Sequence, residues 1–322
     1  MDSGITITIV ADIVFLWESD ENGDITEIKR IFRYHLSDCI PQSSITHSIE
    51  IRTCGSSIKI PDDKKVKWSG YYMGLATGDN TMEWYNSSST GLDYIVLSQG
   101  CIIVHDRKKS HTICYARATE KSHANSGKPR IEVENTLVVL IHTIASMYNR
   151  YTVHAAAVRH NGYAHVFMGR SGRGKTTLCT DCLRQGAEFM GDDLVFFYME
   201  NGKIMIGSLL LDIKLAIDGS THKRHIDIIK ELNAGYTLSA PAKSISLIKQ
   251  IIPHDGQKSY LEQQEPIDAI VHLFRASNSP LMQYNPEQWQ NVFQTAAETL
   301  PYNILHFGDR NLLDIKILDG IR

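Results

Sequence analysis

The chain has 322 residues, 43% hydrophobic and 21% charged, enough to bury a full core and to make two domains. Its net charge of −3 argues against a broad basic surface for non-specific nucleic-acid binding. Six cysteines (39, 54, 101, 114, 179 and 182) in a chain this long form no disulfide-scaffold pattern.

In chain order, residues 1–124 read as a β-rich domain. Ile5 to Val10 alternates with period two, and Ile13 to Trp17 continues an apolar run. Asp20 to Asp24 is a turn, Ile49 to Arg52 alternates again, and Asn86 to Gly91 is a loop. Tyr94–Leu97 and Cys101–Val104 pair as a hairpin across Ser98-Gln99-Gly100. No repeat and no catalytic constellation occurs here. The N-terminus carries Asp2 rather than a basic region, unlike a secretory signal.

Lys121 to Arg130 is polar, with Gly127 and Pro129, and sets the expected boundary, so that residues 125–322 form the second domain. Val133, Leu137, Leu140, Ile141, Ile144, Met147 and Tyr148 then recur at helical spacing, with His142 near the apolar face as a core or boundary residue. This helix is expected to pack against the sheet of the second domain. Leu137 to Met147 is the best membrane candidate and is too short. No membrane partner is expected, and free thiols fit the cytoplasm.

Tyr151-Thr152-Val153 is strand-like and delivers His154. Asn161-Gly162 is a hairpin turn between Ala157–Arg159 and Tyr163–Met168. Directly after that strand comes Gly169-Arg170-Ser171-Gly172-Arg173-Gly174-Lys175-Thr176-Thr177, a gapless phosphate-loop pattern. Leu178 to Gln185 reads as the helix that follows, with Gly186 to end it. Glycines let successive backbone N–H groups turn inward at a helix start whose dipole favours anions. Lys175 supplies a charge for the β- and γ-phosphates of ATP, and Thr176 a hydroxyl for Mg²⁺. Arg170 and Arg173 occupy variable loop positions, where they either stabilise transferred charge or are solvated. Cys179 and Cys182 form a C-x-x-C without a second pair, and read as small core residues rather than as a zinc site.

Asp192 and Asp193 stand just before the apolar run Val195 to Met199. Glu200-Asn201-Gly202-Lys203 is a turn into Ile204–Ile206, and Leu209 to Ile217 is another apolar segment. His222 to Asn233 looks helical, ended by Gly235, and carries the basic cluster His222, Lys223, Arg224 and His225. Pro241 to Pro253 matches no single pattern. Ile267 to Phe274 reads as a strand. A helix runs from Pro286 to Leu300, and final strands are expected at Tyr302–Phe307 and Leu312–Leu318.

The order His154, phosphate loop, Asp192-Asp193 resembles the HPr kinase/phosphorylase and phosphoenolpyruvate carboxykinase superfamily over about residues 150–215. The run Gly172 to Leu178 followed by Gly191-Asp192-Asp193 is similar to the carboxykinases. The setting Ala155-Ala156-Ala157-Val158 is similar to HPr-kinase-like proteins of modified-peptide biosynthesis. The resemblance implies an α/β, phosphoenolpyruvate carboxykinase-like phosphate-loop core behind an N-terminal β-rich domain. It implies an ATP- and Mg²⁺-dependent kinase acting on a hydroxyl, such as a serine of a peptide or small protein, with room for a homo-oligomer. By carry-over, Asp192 is the general base, Asp193 the carboxylate beside Thr176 on Mg²⁺, and His154 a site residue; the two Asp roles are exchangeable. The glycine-containing stretch that follows the core of true HPr kinases is missing after Leu209. A small-molecule kinase and a non-catalytic nucleotide-gated module remain alternative expectations.

Overall fold

The computed structural model describes residues 5–19, 25–41, 45–54, 58–71, 81–97, 101–117, 129–170, 172–216, 223–250, 259–277, 285–307 and 314–319. It is a mixed α/β protein with two large sheets. The chain forms two compact units that divide between Tyr148 and Asn149. The expected boundary at 124/125 falls outside the described residues.

The first unit contains β1 (Thr6–Val10), β2 (Ile13–Ser19), α1 (Ile25–Ile31), β3 (Leu36–Ser37), β4 (Ile45–Cys54), β5 (Lys64–Tyr71), β6 (Thr81–Ser87), β7 (Asp93–Leu97), β8 (Ile102–Asp106), β9 (His111–Arg117) and α2 (Pro129–Met147). The strands form one sheet in the order β3-β1-β2-β4-β9-β8-β7-β6-β5. It is parallel at β2–β4 and β4–β9 and antiparallel at the other pairs. The period of two read in β1 is present in the opposite phase: Thr6, Thr8 and Val10 are buried, Ile7 and Ile9 are half-buried, and Ile5 is exposed. The predicted hairpin is β7–β8. The predicted turn at Asp20–Asp24 lies outside the described residues.

Sequence periodicity did not reveal α1. Its Ile28 and Ile31 are buried, and the following Phe32 stacks on Trp17 with ring centroids 5.5 Å apart. Trp17 Nε1 donates to Thr8 Oγ1 at 2.8 Å, so the large ring is buried with its polar edge satisfied. The helix predicted from Val133 onward is α2, and it groups with the first unit, not the second. Tyr148, just past its end, is hydrogen-bonded to His47 Nδ1 on β4 at 2.8 Å, which ties the helix end to this sheet.

Several buried histidines stay neutral in this fold. Burial pushes His35 and His47 down to about 4 and His142 down to about 3, and in the second unit His165 to about 4. Their folded pKa values lie below the ordinary 6.5. The stability they contribute is therefore complete above pH 6.5 and is lost as pH falls toward 4. Each such histidine is expected to cost roughly 1–2 kcal/mol between pH 6.5 and 5. Urea unfolding at pH 7 and pH 5 should show a lower midpoint at pH 5. An unchanged midpoint would mean that these rings are charged in the folded protein.

The second unit contains β10 (Tyr151–Val153), β11 (Ala155–His160), β12 (Tyr163–Met168), α3 (Lys175–Arg184), β13 (Glu188–Gly191), β14 (Val195–Glu200), β15 (Lys203–Ser208), β16 (Ile213–Ala216), β17 (Lys223–Ile226), α4 (Ile228–Leu232), β18 (Ser239–Gln250), β19 (Tyr260–Gln263), α5 (Pro266–Ala276), α6 (Pro286–Thr299) and β20 (Tyr302–Phe307). Its main sheet runs β10-β14-β15-β18-β12-β11-β13, with β20 beside β18 and β19 beside β20. The hairpin turns Asn161-Gly162 and Asn201-Gly202 are where the sequence put them, both residues of each having positive φ. β18 organises the sheet. One edge pairs in parallel with β12, while the other pairs first with β15 and then in parallel with β20.

Three expectations are corrected. Ile267–Phe274 belongs to helix α5, not a strand: Pro266 opens it, and Ala269 and Leu273, four apart, are its buried pair. His222–Asn233 is not one helix. It divides into β17 and the short α4, which starts where the Asp227 side chain accepts from the Lys230 N–H and ends at Asn233 in the left-handed region. The last expected strand is a 3₁₀ turn, Ile315–Leu318, capped by Asp314. Among the described residues, no helix is long and apolar enough to cross a membrane.

Candidate functional site

Two antiparallel paths through the second sheet break at the same level. β10 and β11 are separated by His154, and β13 and β14 by Asp192, Asp193 and Leu194. The registers bracket the gap, with Val153 opposite Val195 on one side and Ala157 opposite Gly191 on the other. The histidine and the acidic pair are thus brought together by sheet geometry, though almost forty positions separate them in sequence. Gly191 makes the second break passable. A Cβ there would lie 3.0 Å from the Leu194 carbonyl oxygen and 3.3 Å from Val195 Cγ1. Asp193 completes the turn with a φ of 73° and is exposed.

The phosphate loop leaves the end of β12, whose parallel neighbour is β18. Gly172 and Gly174 have φ values of 79° and 96°, the region open to glycine. Arg173 N–H donates to the Arg170 carbonyl at 3.2 Å, closing the loop on itself. Gly174 caps α3 and, having no side chain, makes no cap bond to the first N–H groups of that helix. Arg170 and Arg173 are exposed. Ser171 lies outside the described residues. Further along α3, Cys179 and Cys182 are buried, and burial pushes the Cys182 thiol up to about 12. Neither thiol is poised for redox chemistry or for metal binding, in line with the sequence reading.

Lys175 lies at the start of α3 with its side chain buried. Its Nζ donates to the Gly169 carbonyl at 2.9 Å and to His154 Nε2 at 3.1 Å. Burial, and then the charge of Lys175, lower the His154 pKa, against the pull of Asp193. The imidazole is therefore neutral, with Nε2 as acceptor. Thr176 Oγ1 donates to Asp192 Oδ2 at 2.6 Å. Burial, and then the charge of Asp193, raise Asp192 to about 6. Asp192 Oδ1 is buried without a hydrogen-bond partner.

The sequence reading put Thr176 with Asp193 on the metal; in the structure the Thr176 hydroxyl meets Asp192. A hydroxyl and a carboxylate in contact, with one carboxylate oxygen unspent, fit a hard divalent cation. No group of three or more His, Cys, Asp or Glu side chains suited to a metal occurs among the described residues. A Mg²⁺ ion held here by Thr176 and Asp192 would take its remaining oxygens from nucleotide phosphates and water.

One support of the site was invisible in sequence. His154 N–H donates to the Ala276 carbonyl at 2.8 Å, and Val153 bridges Ser277, so the end of α5 braces the histidine. These are backbone contacts and leave no mark on residue type. Of the basic cluster, His222 and the side chains of Lys223, Arg224 and His225 lie outside the described residues.

No family model matches the chain, and no curated protein matches its sequence. Among solved structures, the chain is similar to the HPr(Ser) kinase/phosphatase from Coxiella burnetii. That likeness has 15% identity and a TM-score of 0.30 over 50% of this chain and 87% of the other.

Proposed function

We propose that the second unit is a phosphoenolpyruvate carboxykinase-like phosphate-loop core and that the protein is a Mg²⁺- and ATP-dependent phosphotransferase. Its acceptor is a hydroxyl, that of a serine in a peptide or small protein. The observation that carries this is the meeting of Lys175, Thr176, His154 and Asp192 at one loop. A glycine-rich turn with an accidental Lys-Thr would have no reason to face a half-buried carboxylate with one oxygen buried and unpaired.

The loop N–H groups and Lys175 hold the β- and γ-phosphates in place. Mg²⁺, when bound at Thr176 and Asp192, neutralises charge on the phosphate oxygens. The Thr176–Asp192 contact supports exchanging the two carboxylate roles, with Asp192 beside the cation and exposed Asp193 toward the acceptor. Asp193 then takes the hydroxyl proton as the new O–P bond forms. The bond from the γ-phosphorus to the bridging oxygen breaks, and ADP leaves. Neutral His154 keeps Lys175 oriented through Nε2.

The test is transfer of labelled γ-phosphate from ATP with Mg²⁺ to free serine, to sugars and to fractionated peptides and proteins of the source cells. Label on one peptide or protein is the expected result. Label on a small molecule would replace the acceptor class, and tight ATP binding with no transfer would favour a nucleotide-gated module.

A further inference from the structure

We propose that the exposed face of α5 is the docking strip for the acceptor, and that the acceptor is a peptide segment presenting an apolar helical face beside its hydroxyl. This rests on the phosphotransferase reading above. Ile267, Val271 and Phe274 are 63%, 39% and 39% exposed. At about 100° per residue they fall within roughly 60° of one another on the helix, a stripe about 10 Å long. The opposite face is spent on packing: Ala269 and Leu273 are fully buried where α5 meets α6 and β20. Three large apolar side chains in one line on solvent are more than the scattered exposure of an ordinary surface.

Position selects the occupant. The stripe ends at Phe274, two residues before the Ala276 carbonyl that accepts from His154 N–H, and His154 in turn meets Lys175. An acceptor seated on the stripe is therefore delivered at the phosphate loop. Charge adds direction. Asp268 stands in the first turn and Arg275 in the last, both exposed. An acceptor segment with an acidic residue near its hydroxyl and a basic residue a few turns away would match both. Amphipathic segments bind such strips through anchors at i, i+4 and i+7. Phe274 also meets Trp289 of α6 edge-on, with ring centroids 4.2 Å apart, so occupancy of the stripe has a spectroscopic reporter.

The probe is a pair of synthetic serine peptides. One carries three leucines at helical spacing beyond the serine, and the other has serines in their place. The full chain with Mg-ADP is titrated with each, reading Trp289 fluorescence against a Trp289→Phe control, and transfer from labelled ATP is measured separately. Val271→Asp and Ile267→Asp change exposed positions and should leave thermal unfolding and nucleotide affinity unchanged. The leucine peptide is expected to bind at least tenfold more tightly than its partner. In transfer, Val271→Asp should raise its KM at least tenfold with kcat kept. Equal binding of the two peptides would overturn the proposal, as would an unchanged KM in Val271→Asp. A dimer that Val271→Asp converts to monomer would also overturn it, by assigning the stripe to a second copy. Leucine-selective binding that Val271→Asp abolishes, with no transfer to any acceptor, would keep the docking strip and remove the kinase reading.

Discussion

Lys175→Ala is expected to lower phosphoryl transfer at least ~10²-fold while the protein stays folded, the scale seen when one charge-stabilising donor is removed from a reaction centre. The lysine donates to the Gly169 carbonyl and to His154 Nε2, and its side chain is buried at the helix start. These two acceptors are neutral. A β- or γ-phosphate arriving at the loop offers full negative charge, and a charge-assisted bond to phosphate outcompetes neutral acceptors. Loss of the side chain leaves one carbonyl and one imidazole nitrogen short of a donor, a cost of about 1–3 kcal/mol. Lys175→Met keeps the buried stem and removes the charge with its donors, so it leaves the same two acceptors unpaired without opening a cavity. Both variants should lose transfer, and Lys175→Met should have the higher unfolding midpoint of the two. Wild-type turnover by either one would sink the assignment of this loop as the phosphate site.

The loop was legible because its chemistry constrains residue type at every turn. Glycines mark backbone conformations that side chains disfavour, and the Lys-Thr pair has no packing reason to follow them. The hairpins at Asn161-Gly162 and Asn201-Gly202 were legible for the same reason. Helix α5 was not: Ile267, Ile270, Val271 and Phe274 do recur at helical spacing, but Ala269 and Leu273 fill the run between them, and so short an apolar run reads equally as a buried strand. The 12-residue β18 was also obscure, because it is covered along most of its length and carries Pro241 and three serines among its apolar residues. The meeting of His154 with the acidic pair depends on two strand breaks lying level in a sheet, a relation of register that neither segment carries alone. The early apolar run of α2 gave its helix but not its allegiance, since the Tyr148–His47 bond that ties its end to the first sheet is a contact over about a hundred positions.

The acidic pair is where sequence stopped at an ambiguity and geometry gives a direction. Asp192→Asn and Asp193→Asn are both expected to lower transfer, by ~10²–10⁴-fold for loss of a proton acceptor, but they should differ in the cation. Asp192 is the carboxylate in contact with Thr176, and its Oδ1 is buried and unpaired. Its charged form is penalised by burial and by Asp193, so it gains most from a neighbouring positive ion. An amide at 192 can still accept from Thr176 but offers no negative charge. Asp192→Asn should therefore weaken binding of Mn²⁺, used as a paramagnetic substitute for Mg²⁺ in the presence of ADP. It should also leave higher Mg²⁺ unable to restore full transfer. Asp193 is exposed and has no such bond to Thr176. Asp193→Asn should keep Mn²⁺ and ADP affinity near wild type and lose the chemical step, so that single-turnover transfer falls while binding persists. The reverse pattern, with Mn²⁺ affinity lost in Asp193→Asn and kept in Asp192→Asn, would return the roles to those implied by the family resemblance. In that arrangement the Thr176–Asp192 bond would have to open before the cation could reach Thr176, and Asp192, already raised to about 6, would take the acceptor proton directly.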